Sequence, residues 1–156
     1  MAAELVHATG LALAGRAALI RGPSGAGKSD LALRCLALAP TPLLPDQAEL
    51  ISDDQVQLER RGGDLYASAP ETITGLLEIR GVGVQRIPAA RAHTRVTLAV
   101  DLVGEHEPAP ERYPDPWPHT ACLGISLPLL RLRPFEASAA IKLLLALRNG
   151  PAGRGP

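Results

Sequence analysis

Residues 22–29 hold the densest chemistry in the chain. Gly22, Pro23, Ser24, Gly25, Ala26, Gly27, Lys28 and Ser29 match the phosphate-loop pattern G-x-x-x-x-G-K-[ST] at every required position. Glycines at this spacing let successive backbone N–H groups turn inward around phosphate oxygens. Lys28 can reach the β- and γ-phosphates as a point charge, and the Ser29 hydroxyl can coordinate Mg²⁺. A helix beginning there presents the positive end of its dipole to the same anion. The expected ligand is a nucleoside triphosphate, read through its phosphates, with no motif that identifies the base.

A phosphate loop supplies binding, but phosphoryl transfer also needs a carboxylate to hold metal or accept the nucleophile's proton. Asp53 and Asp54 directly follow Glu49-Leu-Ile-Ser52. A strand there sets them beside the loop at the carboxyl edge of a sheet. An Asp-Asp pair is ordinarily a solvated turn, and the apolar strand in front of this one favours function. Glu78 sits in Leu76-Leu-Glu-Ile-Arg-Gly-Val-Gly83. That run suits a strand end turning near a site and a surface strand with an outward ion pair equally well. His7, near an N-terminal strand, is by its sequence position alone an ordinary histidine.

The flanking pattern provides the elements that must position these groups. Leu5–Leu13 and Ala17–Ile20 read as two strands joined by a turn at Gly15-Arg16. A helix spans Lys28 to Ala39, with Leu31, Ala32, Cys35, Leu36 and Ala39 at helical spacing. Pro40, Pro42 and Pro45 end it. Gln55–Arg61 and Asp64–Ser68 have hairpin character around Gly62-Gly63, and Thr74–Ile79, Arg95–Leu102 and Gly124–Leu132 are further strands. Gly104–Thr120 holds five prolines and reads as a long irregular loop. Pro134–Arg148 is a closing helix that stops at Asn149-Gly150, and 151–156 is expected to be a disordered tail. The order is α/β, poor in crossover helices.

The bulk composition excludes several classes. The 156 residues suit one domain, expected over 1–150, and 46% of them are hydrophobic. Lys plus Arg number 16 against 16 Asp plus Glu, so the formal net charge is zero. A general nucleic-acid binder or a membrane-surface protein relies on excess positive charge, which argues against both partners. Cys35 and Cys122 lie far apart with no CxxC pair, which suits free thiols in a reducing compartment. The N-terminus lacks a secretory pattern, and no apolar run approaches the ~20 residues of a membrane span. A soluble, cytoplasmic protein is expected.

Three segments together resemble the catalytic domain of bacterial HPr kinase/phosphorylase. Gly22–Asp30 is similar to the family's phosphate loop, including an acidic residue after the serine. Leu50-Ile-Ser-Asp-Asp54 is similar to its Leu-Val-Ala-Asp-Asp. Leu77-Glu-Ile-Arg-Gly-Val-Gly-Val84 is similar to the signature Leu-Glu-Ile-Arg-Gly-Leu-Gly-Ile. His7 stands at the family's position one hairpin before the loop. The resemblance implies a phosphoenolpyruvate carboxykinase-like phosphate-loop fold with an antiparallel-rich sheet. It also implies ATP, Mg²⁺ and transfer to a serine of an HPr-like phosphocarrier of the phosphotransferase system. Asp53 is implied as the general base, with Lys28 catalytic and His7 beside that aspartate to influence its protonation. Ser29, Asp54 and Glu78 are implied around the metal. Arg80 or Arg112 could add positive charge, and the carrier is expected near the Gly81–Val84 loop and the C-terminal part of the chain.

The departures define what the resemblance leaves open. The family's N-terminal domain has no counterpart, so a short form is expected. Pro40–Glu49 lengthens the link before the Asp-Asp strand. Pro128-Leu-Leu-Arg-Leu-Arg-Pro134 keeps Arg133 but lacks the Gly and Asn of the family's Pro-Val-x-x-Gly-Arg-Asn stretch, and Lys142 stands where an acid is usual. Phosphorylase activity and a homo-oligomer are the properties these changes touch. Two other readings share the phosphate loop. One is a small-molecule kinase, which would carry an Arg-rich lid and more crossover helices. The other is a nucleotide-binding regulatory module without catalysis.

Overall fold

A computed structural model describes residues 3–90 and 92–151; of the expected tail, 152–156 lie outside the described residues. The chain opens with β1 (Glu4–His7), β2 (Thr9–Leu13) and β3 (Arg16–Arg21), followed after the glycine-rich loop by α1 (Lys28–Ala37). Then come β4 (Glu49–Ser52), β5 (Gln55–Arg61), β6 (Asp64–Ser68) and a 3₁₀ turn at Glu71–Ile73. β7 (Leu76–Ile79), β8 (Gly83–Arg86), β9 (Thr94–Leu102), β10 (His119–Cys122), β11 (Ile125–Leu132) and α2 (Ala139–Asn149) complete the order.

The main sheet has nine strands in the order β1-β5-β6-β9-β3-β2-β4, with β11 added beside β9 and β10 beside β11. β9 runs parallel to β3 and to β11. The other strand pairings among the described residues are antiparallel, including a separate β7–β8 hairpin. The fold is therefore α/β with a mixed, antiparallel-rich sheet. Few parallel neighbours means few crossovers, which accounts for the two helices.

β3 reads Arg16-Ala-Ala-Leu-Ile-Arg21 without alternation because both of its faces are covered. Ala18 and Ile20 pack with Leu31, Ala32 and Cys35 of α1 and Leu143, Leu144 and Leu147 of α2. Ala17 and Leu19 join Val56 and Leu58 of β5 and Leu65 and Ala67 of β6 on the opposite side. Helices thus cover one face and curled-over strands the other. Each fully buried leucine contributes on the order of 1.5–3 kcal/mol. Burial also pushes the Cys35 thiol up to about 12, and both cysteines are free, as expected. Among the described residues no helix is long and apolar enough to cross a membrane.

Three expectations need correction. The Leu5–Leu13 strand is two strands: the chain leaves β5 at His7 and joins β3 from Thr9, with Ala8 N–H donating to Asp54 O at 3.2 Å between them. α1 ends at Ala37, two residues early, since extended Leu38 and Pro40 stop helical pairing. α2 begins at Ala139 rather than Pro134: 134–138 form turns in which Glu136 O accepts Ala139 N–H at 3.0 Å, and the Arg34 guanidinium also bonds the carbonyls of Pro134 and Glu136. The chain turns tightly at 80–82 after β7, as expected, and 83–86, to which no element was assigned from the sequence, form β8 and pair with β7. The proline-rich segment is irregular until His119, as its composition requires.

Candidate active site

β2 runs antiparallel to both β3 and β4, so β3 and β4 point the same way. β9 and β11 are parallel to β3 and share that direction. The carboxyl ends of four strands therefore open onto one edge, where the loop after β3 and the Asp-Asp pair after β4 meet.

The phosphate loop closes tightly on itself. Ala26 N–H donates to Pro23 O at 3.0 Å, and a Cβ on Gly22 would stand 3.1 Å from that of Ala26. Gly27 has φ +104, in the left-handed region, and a Cβ there would lie 2.9 Å from Phe135 Cζ. Only glycine satisfies both constraints. Lys28 is 6% exposed, and its Nζ donates to the carbonyls of Gly22 at 2.7 Å and Pro23 at 3.1 Å. The ammonium is thus held over the loop, within reach of any phosphate seated in it.

The two aspartates have different surroundings. Asp53 Oδ1 accepts the Ser29 hydroxyl at 2.6 Å and the Thr9 hydroxyl at 3.2 Å, while Oδ2 accepts the Glu78 backbone N–H at 3.2 Å. Asp54 adopts φ +66, which turns the backbone after Asp53. Its N–H donates to Thr9 Oγ1 at 3.3 Å, and its carboxylate oxygen Oδ1 accepts His7 Nε2–H at 2.6 Å. The break between β1 and β2 creates this contact, since it places His7 opposite Gln55 in the β1–β5 register.

These partnerships correct one expectation. His7 stands against Asp54, not Asp53, while Asp53 holds the Ser29 hydroxyl. A left-handed residue between β4 and β5 separates the carboxylates, which adjacency in sequence cannot reveal. Gly25, Gly27, Lys28, Ser29, Asp53, Asp54 and Glu78 line one cavity of about 420 Å³, with Arg80 at its wall. Pro23 and Ala26 face a second cavity on the other side of the loop, and Gly22 closes the loop at its base. Arg112 lines neither cavity.

Two contributors escape a reading of the sequence. Thr9 is fully buried and bridges both aspartates, yet in sequence it is an ordinary strand threonine. Phe135 is 66% exposed against Gly27 and lines both cavities. As the only phenylalanine in the chain, beside Pro134, it carries a faint signal. Among the described residues there is no cluster of three or more His, Cys, Asp and Glu that could hold a metal by itself. Ser29 and Asp53 nevertheless offer a hard, all-oxygen pair in contact, which fits Mg²⁺. That ion keeps waters and takes its remaining ligands from phosphate.

The HPr Serine kinase C-terminal domain model matches residues 1–145. The chain belongs to this family. Among its relatives, HPr kinase/phosphorylase of Geobacillus kaustophilus (strain HTA426) is 38% identical over 104 residues, covering 62% of this chain and 31% of that protein. The same-named protein of Exiguobacterium sp. is 35% identical over 104 residues, with the same coverage. The chain thus spans about a third of the length of the curated relatives it matches. The solved Hpr(Ser) kinase/phosphatase of Coxiella burnetii superposes with a TM-score of 0.76 at 22% identity, covering 94% of this chain and 95% of that one. That likeness bears on the fold.

Proposed function

We propose that this chain transfers the γ-phosphoryl group of ATP to a serine hydroxyl of an HPr-type phosphocarrier protein. One observation carries the reading: Lys28 and Ser29 of the phosphate loop share one cavity with Asp54, which His7 holds from behind, and with Asp53, which is bonded to the loop serine. Family membership and the relatives' names support both the reaction and the acceptor.

The residues divide the work as follows. Loop amides and Lys28 hold the triphosphate and stabilise charge that develops on the transferring group. Both oxygens of Asp53 are engaged by Ser29, Thr9 and the Glu78 amide, so it belongs to the Ser29 side, where Mg²⁺ would be held. Glu78 lies on the same wall. When bound, Mg²⁺ neutralises charge on the β- and γ-oxygens. Asp54 faces the cavity mouth with one oxygen on His7 and the other available for a proton. It acts as the general base that takes the serine proton as the oxygen attacks phosphorus, and ADP departs on the far side. His7 fixes the orientation of the carboxylate. These roles exchange the two aspartates relative to the expectation drawn from the resemblance.

Labelled ATP, Mg²⁺ and purified HPr-type carrier test the reading directly. Label on the carrier serine, absent from its Ser→Ala form, is the expected result. Nucleotide binding with no labelled carrier would discard the protein acceptor and turn the search to small molecules.

A further inference from the structure

Beyond the loop lies a second cavity of about 480 Å³, between the phosphate loop, the chain leaving β9 and the β11–α2 connection. We propose that it seats the nucleoside end of the triphosphate donor, while the carboxylate-lined cavity is reserved for the acceptor. The inference rests on the phosphate-loop reading above and adds where the base and sugar go.

Ser24, Gly25 and Phe135 line both cavities, so the two meet over the loop that holds the phosphates. A bound triphosphate must send its nucleoside into one of them. Asp53, Asp54 and Glu78 all lie in the first. In-line transfer puts the attacking hydroxyl and the departing diphosphate on opposite sides of phosphorus. With the proton acceptor Asp54 in the first cavity, the diphosphate and its nucleoside point to the second.

The chemistry of the second cavity suits that occupant. Ala26, Leu102, Val103, Pro134 and Phe135 give it an apolar interior. Small-ligand sites combine such an interior with a few polar groups in a volume of roughly 300–1,000 Å³. Its walls are prebuilt: Val103 N–H donates to Leu132 O at 2.8 Å, and Gly104 N–H donates to Glu107 Oε1 at 3.0 Å. Arg133 Nη2 donates to Glu107 O at 3.3 Å, closing the rim. Glu105 stands exposed at that rim, where a carboxylate can accept from sugar hydroxyls. Phe135 presents an exposed ring at the junction of the two cavities, and aromatic rings stack bases irrespective of base identity. The absence of a base-reading motif in the sequence agrees with recognition by stacking.

Amide NMR of the ¹⁵N-labelled chain with Mg²⁺ separates the possibilities, comparing a non-hydrolysable ATP analogue with inorganic tripolyphosphate. Both ligands should shift 22–29. The difference between them should map to 102–107 and 133–136. A difference on the β7–β8 hairpin, on any other surface or nowhere would overturn the nucleoside seat while leaving the phosphate loop intact. No response to either ligand would overturn the phosphate-loop reading and the seat with it. Phe135→Ala should weaken the nucleotide analogue about tenfold and tripolyphosphate less than about twofold. Equal weakening of both would assign Phe135 to loop support and count against the seat.

Discussion

Thr9 shows how much of the site depends on single hydrogen bonds. Its buried hydroxyl donates to the Asp53 carboxylate and accepts from the Asp54 amide, so one side chain ties the first carboxylate to the backbone of the second aspartate. Thr9→Val keeps the shape and leaves these groups unpartnered there. Denaturant unfolding should show a loss of about 1–3 kcal/mol; a change below about 0.5 kcal/mol would remove Thr9 as a structural bridge. Gly27→Ala combines a left-handed backbone with a clash against Phe135. It should destabilise the chain by about 1–3 kcal/mol. Adding Phe135→Ala should recover only part, because the φ strain remains; full recovery would show that the clash alone was limiting. The phosphate loop was legible because its chemistry is contiguous in sequence. The division between Asp53 and Asp54 was not, since it arises from the φ of one residue and from partners more than forty positions away.

At the scale of elements, the helices carry a pH dependence that can be measured. Cys35 lies in the α1–α2 interface, and burial lifts its thiol from an ordinary 9.0 to about 12. The contribution is fully present below pH 9. Between these values the unfolded chain loses the thiol proton while the folded chain keeps it. The unfolded state then binds fewer protons, and stability falls by about 1.4 kcal/mol per pH unit. Above about pH 12 the contribution is gone. Cys35→Ala should flatten that slope in unfolding curves taken between pH 9 and 10.5; identical slopes would show that Cys35 is not responsible. Most strands were legible from β-branched runs and turn glycines. The β1–β2 break was not, because 5–13 is a largely apolar run with no Pro at the point where the chain changes partner strand. The first turn expected of α2 is instead a tighter turn closed by Ala139 N–H on Glu136 O, and Arg34, a hundred residues away, bonds the carbonyls of Pro134 and Glu136.

For the whole molecule, the directions of β3, β4, β9 and β11 gather the functional segments at one edge. The antiparallel pairing of β2 with two of them makes this possible without additional crossover helices. The α/β class and scarcity of helices were legible in the order of elements. That order does not show which carboxylate faces which cavity, because strand direction is a property of the assembled sheet. Two cavities lie on either side of one loop; under the proposed function they are a donor side and an acceptor side, with Asp54 as the proton acceptor on the latter. The most direct test compares Asp54→Asn with Asp53→Asn, measuring Mg²⁺-dependent ATP affinity and serine labelling of the carrier for each. Asp54→Asn should keep nucleotide affinity within about threefold and lose roughly 10²–10⁴ in transfer rate, while Asp53→Asn should lose the Mg²⁺-dependent part of affinity. The reverse pattern, with Asp53→Asn binding normally but inert and Asp54→Asn losing metal-dependent affinity, would contradict the assignment of Asp54 as the base.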